Sequence, residues 1–232
     1  MAKKKSDIQE ANDPSVSFSR TEQYFVENKK SLIIIFGAII LVLGGYFGYR
    51  KLYKEPREKA AGEMSWKAQH LFDVKVATNE ADSFKLAKEG IDGYYGFEFI
   101  TNEYDGTMAG ELAQYSLGVI LLNEGKFDEA IEHLEGVDVE DIMISTLTIG
   151  LAGDAYSELG DYEEAIAKYN EAIENNDNEF TSPLYLKKAA VLYEETGDYS
   201  SALKMYEKIR DNYEGSAQGT DIDKLIARAK NK

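Results

Sequence analysis

Three stretches of the chain repeat one arrangement of small, apolar and turn-forming residues, and that repetition limits the fold more than any other feature. LGVILLNEGKFDEAIEHL starts at Leu117, AGDAYSELGDYEEAIAKY at Ala152 and AAVLYEETGDYSSALKMY at Ala189. Gly125, Gly160 and Gly197 align at spacings of 35 and 37 residues. Phe127, Tyr162 and Tyr199 follow two residues later, then Ala130, Ala165 and Ala202, and Leu134, Tyr169 and Tyr206 close each unit. Apolar residues recur at helical spacing on both sides of each glycine, so each unit is a helix, a turn and a second helix. The small residue at Gly118, Gly153 or Ala190 lets the first helix approach the second, and the glycine supplies the left-handed backbone of the turn. One such unit cannot bury its apolar face alone, so the units must stack.

The period and pattern resemble the tetratricopeptide repeat, a helix-turn-helix unit of about 34 residues. The expected fold is all-α: one transmembrane helix near the N-terminus followed by a helix-turn-helix solenoid. Clear repeats are expected near 111–144, 146–180 and 183–214, within a solenoid over 54–214 of about four units. In the degenerate first unit, MSWKAQHLFDV and DSFKLAKEGI are the expected helices, and GYYGFEFITNEYDGTMAGELAQ joins it to the first clear repeat with a further helical turn. The only tryptophan, Trp66, is expected in the interior. Residues 215–232 read as a polar capping helix, with Lys224, Arg228 and Lys230 complementing the negative end of its dipole.

The second dominant feature is the run from Leu32 to Tyr49, eighteen residues without a charge. As a helix it covers about 27 Å, close to a hydrocarbon core of about 30 Å. Tyr46, Tyr49 and Tyr53 stand at its far end, where amphipathic rings favour the interface. A cleaved signal peptide fits poorly. Thirty-one residues precede the run, five of them acidic, and Arg50, Lys51, Lys54 and Arg57 follow it with no small-x-small site. We therefore assign 31–53 to a transmembrane helix and its flank. Residues 18–30 read as an amphipathic juxtamembrane helix, capped by Ser19 and Glu22, with Phe18, Tyr24, Phe25 and Val26 on its apolar side. Residues 1–17 read as a disordered tail. Basic residues flank both ends of the span, so the charges leave its orientation open. Gly37, Leu41, Gly44 and Gly48 share one face, a possible docking face for another helix, and Gly44 and Gly48 form a small-xxx-small pair.

Composition narrows the chemistry. The chain has no cysteine, which excludes disulfides, thiolate metal sites and cysteine nucleophiles. Residues 1–59 hold eleven Lys/Arg and seven Asp/Glu, a net of +4, leaving 15 basic and 35 acidic residues, a net of −20, in the remainder. An acidic body repels nucleic acid, so no nucleic-acid partner is expected. No phosphate loop, metal-ligand cluster or nucleophile-base pair is present in the pattern, so no cofactor, no metal and no catalytic residue is assigned and the chain reads as a non-enzyme. Glu129 and His133 lie four apart on a helix and read as a surface pair. NNDNEF, from Asn175, lacks the glycine and closing glutamate of a calcium loop and reads as the connection absorbing a two-residue insertion.

A stacked solenoid presents a concave groove lined by its first helices. Repeat register points Tyr115, Val119, Leu122 and Asn123 into it from one unit, Asp154, Ser157 and Glu158 from the next, and Lys187, Val191 and Glu194 from the third. Asp154 and Glu158 would repel a terminal carboxylate, so the expected ligand is partly apolar and basic or neutral. The alternative is that these side chains form only a solvated face.

The segment YFVENKKSLIIIFGAIILVLGGYFGYRKLY resembles the YfgM-like ancillary subunits of the bacterial Sec translocon. Tyr24, Phe25, Glu27, Asn28, Lys30, Tyr49 and Arg50 match that family's pattern around the span. DSFKLA, GDYSSALKMYEKI and GTDIDKLIARA are similar to the version found in Bacteroidetes-type bacteria. The resemblance implies a single-pass protein of the bacterial inner membrane with a cytoplasmic N-terminus and a periplasmic repeat domain. The partners it implies are the SecYEG translocon, a PpiD-like membrane-anchored prolyl isomerase or another chaperone, and secreted chains, beside the lipid bilayer itself. The alternatives are a general cell-envelope scaffold and an N-anchored import receptor.

Overall fold

A computed structural model describes residues 24–78 and 82–232. The expected cap at Ser19 and Glu22, with Phe18, therefore lies outside the described residues. The chain divides into two compact units with the boundary at Pro56.

In the first unit, Tyr24–Glu27 forms a helical turn, and the Asn28 side chain donates to the Tyr24 carbonyl at 2.9 Å. Helix α1 follows over Lys29–Tyr49, with none of its residues buried. It is long and apolar enough to cross a membrane. A π-helical segment, Arg50–Lys54, continues from it and stacks Tyr53 on Tyr49 with ring centroids 5.4 Å apart. Helix α2 spans Glu55–Thr78, and from Arg57 onward it belongs to the second unit.

The second unit is a stack of antiparallel helices. Short α3 (Ser83–Glu89) and α4 (Phe97–Glu103) precede three long-helix pairs. These are α5 (Met108–Asn123) with α6 (Phe127–Glu135), α7 (Ile142–Leu159) with α8 (Tyr162–Asn175), and α9 (Ser182–Glu195) with α10 (Tyr199–Asn212). Helix α11 (Ile222–Lys230) packs on α10. All three turns inside the pairs are built alike. Gly125, Gly160 and Gly197 have φ of 72°, 81° and 80°. The next amide reaches back five residues: Lys126 to the Leu121 carbonyl, Asp161 to Tyr156 and Asp198 to Tyr193, at 2.8–2.9 Å. This bond pattern satisfies the orphan carbonyls at the end of each first helix. Side chains start three of the paired helices: Thr107 accepts from the Gly110 amide at 3.0 Å, Asp141 accepts from the Met143 and Ile144 amides at 2.9 Å, and Asp198 accepts from the Ser201 amide at 3.0 Å. Each such cap is worth about 1 kcal/mol.

The expected small positions are where the helices meet. A Cβ on Gly118 would lie 2.6 Å from Leu134 Cγ, and one on Gly153 would lie 2.8 Å from the Tyr169 ring. Ala130, Ala165, Ala190 and Ala202 are fully buried. Two apolar clusters result, one around Phe97, Ile120 and Leu121 and one around Leu186, Tyr206 and Ile209. Each fully buried side chain of this size contributes about 1.5–3 kcal/mol.

Three sequence expectations are corrected here. DSFKLAKEGI is not one helix: α3 ends at Glu89, and Gly90–Ile91 pairs antiparallel with Tyr94–Tyr95. Asp92 and Gly93, both at positive φ, form the two-residue turn, so the described residues contain one minimal hairpin. Trp66 is not interior. It is 52% exposed, edge-on to Tyr94 with ring centroids 5.5 Å apart. Lys224 lies in the first turn of α11 rather than the last, held by Asp221 at 2.6 Å.

The close approach at Gly153 gives a direct expectation. Gly153→Val forces a branched side chain against Tyr169 and the Ala165 carbonyl, and overpacking of this kind costs about 1–3 kcal/mol. Gly62, on α2 with open space around it, should gain about 0.5–1 kcal/mol on replacement by Ala. Thermal unfolding followed by circular dichroism should therefore move in opposite directions for the two variants.

Candidate functional site

The first helices α5, α7 and α9 line two adjoining cavities. One, of about 560 Å³, is bounded by Val119, Leu122 and Asn123 from α5 and by Leu151, Asp154 and Glu158 from α7, with Phe84 and Phe127 at its sides. The other, of about 440 Å³, lies between Asp154, Ser157 and Glu158 of α7 and Leu184, Lys187, Lys188 and Val191 of α9, with Tyr169 behind. Asp154 and Glu158 belong to both, so the two form one trough along three successive repeats.

The trough gathers eight of the ten groove residues expected from register: Val119, Leu122, Asn123, Asp154, Ser157, Glu158, Lys187 and Val191. The remaining two lie elsewhere. Tyr115 is half-buried one turn before Val119, and burial pushes its hydroxyl pKa up. Glu194 is not open to a ligand. Arg228 of α11 binds it, with Arg228 Nε 3.3 Å from Glu194 Oε1 and a second, shorter contact through Nη2. The capping helix thus closes the groove at its third repeat.

Electrostatics at the centre of the trough differ from the sequence expectation. Asp154 is not a bare carboxylate. Lys188 Nζ lies 2.6 and 2.7 Å from its two oxygens, and the Tyr169 hydroxyl donates to it at 2.8 Å. The ammonium also stands 5.8 Å from the centroids of both the Tyr169 and the Tyr185 ring, which stack on each other at 5.9 Å. A cation over two ring faces gains further attraction. Asp154 is therefore neutralised from within the fold, and Glu158, exposed at the shared wall of the two cavities, is the carboxylate a ligand would meet. Lys188 and Tyr185 were missed in the sequence because their roles depend on contact between neighbouring repeats, and Tyr169, read there only as a packing residue, reaches Asp154 within its own repeat.

His133 is half-buried, and burial lowers its pKa against the opposing pull of Glu132, Glu129 and Glu98. On α1, a Cβ added at Gly37, Gly44 or Gly48 meets nothing within 4 Å, so the face they form with Leu41 is open within the first unit.

Burial, then the charge of Asp154 and the hydrogen bond to it, raise the Tyr169 pKa well above its ordinary value near 10; burial followed by Asp154 does the same at Tyr185. The unfolded chain then releases these protons first as pH rises. The stability they contribute is fully present below about pH 10 and is lost as the solution becomes more alkaline. In an ultraviolet titration, the late-ionising tyrosines should move to lower pH in Asp154→Asn, and one should vanish in Tyr169→Phe. An unchanged titration in Asp154→Asn would contradict this coupling.

With this geometry in view, comparison with known families gives two matches. Residues 97–192 match a tetratricopeptide repeat-like domain. Residues 185–216 match a tetratricopeptide repeat. The sequence matches no curated protein.

Proposed function

We propose that the chain is a membrane-anchored scaffold that holds a protein segment in the trough along α5, α7 and α9. The observation that carries this reading is the junction of the two cavities at Asp154 and Glu158. A short segment docked there would touch all three repeats at once. The walls offer apolar contacts from Val119, Leu122, Leu151, Leu184 and Val191, with polar groups between them. With Asp154 paired to Lys188, the selective charge is Glu158, which favours a ligand that brings a basic group to that point.

The cellular setting we propose is the Sec translocon. Tyr24, Phe25, Glu27, Asn28, Lys30, Tyr49 and Arg50 around the span support it through their resemblance to the ancillary translocon subunits. On this reading α1 spans the inner membrane, the N-terminus is cytoplasmic and the repeats are periplasmic. The trough then receives a secreted chain or a chaperone such as a PpiD-like isomerase, and Gly37, Leu41, Gly44 and Gly48 meet SecYEG. Small residues on such a face let a partner helix approach closely.

A mild-detergent purification of the tagged full-length chain, beside a variant carrying Gly37→Leu, Gly44→Leu and Gly48→Leu, separates these claims. SecYEG should co-purify with the native span and be lost with the leucines. Enrichment of a different envelope complex without SecY would overturn the translocon setting and leave a general scaffold. In the same preparation, Glu158→Lys should lower recovery of a basic segment about tenfold, the order expected for losing one well-placed interface contact. Unchanged recovery would remove the trough as the binding site.

A further inference from the structure

We propose a second docking surface, separate from the trough, for a protein segment that combines basic and apolar side chains. It is the edge of the repeat stack at which each first helix begins. Met108, Ile142, Met143 and Phe180 are 48%, 56%, 38% and 81% exposed there. Met108 opens α5, Ile142 and Met143 open α7, and Phe180 precedes α9 by two residues. The spacings from Met108 to Met143 and from Met143 to Phe180 are 35 and 37 residues, the same as those between the turn glycines. None of the four lines either cavity of the trough.

Hydrogen bonds tie these ends together on one edge. The Asp138 amide donates to Glu111 of α5 at 2.8 Å, joining the α6–α7 connection to the start of the first repeat. Asn175, at the end of α8, donates to Thr146 near the start of α7 at 2.8 Å. Asp177 accepts from the Tyr213 hydroxyl, joining the α8–α9 connection to the end of α10.

The connection that carries Phe180 is held by its own side chains. Asn178 Oδ1 accepts from the amides of Phe180 at 2.8 Å and Thr181 at 2.9 Å, while its Nδ2 donates to the Asn176 carbonyl at 2.8 Å and to Thr181 Oγ1 at 2.6 Å. An aromatic ring exposed on a connection already fixed in this way binds with little further loss of backbone freedom. Rigid aromatic anchors that fill a partner's pocket carry much of the energy of protein interfaces.

Charge selects the partner. The three connections, residues 104–107, 136–141 and 176–181, contain six Asp/Glu and no Lys or Arg. Arg57 reaches the Glu103 carbonyl beside the first connection and Lys208 stands near Asp177, so the acidic character is concentrated at 136–141 and at Glu179; there the apolar row is complementary to a basic amphipathic segment and repels an anionic bilayer.

The test places a photoreactive benzoylphenylalanine at Phe180 of the full-length chain in nanodiscs of zwitterionic lipid. Two amphipathic peptides of equal length serve as probes, one of leucine and lysine, the other of leucine and glutamate. The lysine peptide should be labelled at least about tenfold more than the glutamate peptide, a difference in the range of a single interface anchor. Glu140→Lys combined with Glu179→Lys should abolish that preference with an unchanged circular dichroism spectrum, while Glu158→Lys in the trough leaves it intact. Equal labelling of both peptides, labelling of lipid in place of peptide, or a preference that survives the double charge reversal would each overturn the proposal. Failure of the trough to bind, with labelling at Phe180 retained, would leave this second surface standing.

Discussion

The structure depends on how closely the two helices of each repeat approach. At Gly118 and Gly153 the facing Leu134 and Tyr169 fill the space a Cβ would need. That approach has two consequences. It brings the small residues Ala130 and Ala165 into full burial, so each pair locks as a thin slab whose flat faces must be covered by the next slab. It also fixes the angle at which the first helices line up, and the trough exists only because α5, α7 and α9 lie side by side. Tyr169 shows how one residue serves both ends. Its ring fills the space over Gly153, and its hydroxyl reaches Asp154 on the wall of the trough.

The parts legible in the sequence are those set by local chemistry repeated three times. The turn glycines and the small positions follow from period and conformational preference, and each is found where the pattern put it. The parts that were not legible arise where neighbouring repeats meet or where a weak local signal was passed over. Asp154 reads as a free acid until Lys188, 34 residues on, is seen to bind both its oxygens. Glu194 reads as a groove residue until α11 delivers Arg228 to it. The Asp92-Gly93 turn was readable in principle, because an Asp-Gly pair between Ile91 and Tyr94 is a strong hairpin signal, yet the helical pattern of DSFKLA obscured it. Trp66 defied the default that large aromatics are interior, since α2 turns it toward Tyr94 and solvent.

The buried polar groups have a role that an apolar core could not fill. A cluster of leucines would hold the repeats together equally well but would permit sliding between slabs. Glu111 accepting from Asp138, Asn175 donating to Thr146 and Asp177 accepting from Tyr213 each need one register, because a shift leaves a polar group unsatisfied. These bonds sit at the edge where the first helices begin, so they also set the positions of Met108, Ile142 and Phe180 relative to one another.

The division of charge gives the chain its last constraint. A net of −20 beyond residue 59 opposes adsorption of the repeats to an anionic lipid surface. Among the described residues, α1 is long and apolar enough to cross a bilayer without help from the body. The body is left free to use its charge for selection instead. Along the trough, the pairing of Asp154 with Lys188 leaves Glu158 exposed where the two cavities meet. At the edge, the connections carry acids without a single Lys or Arg between them. On the two proposals made above, both surfaces would discriminate by the same rule, apolar contact combined with an acidic neighbour, and a partner with basic and apolar side chains in alternation would satisfy either one.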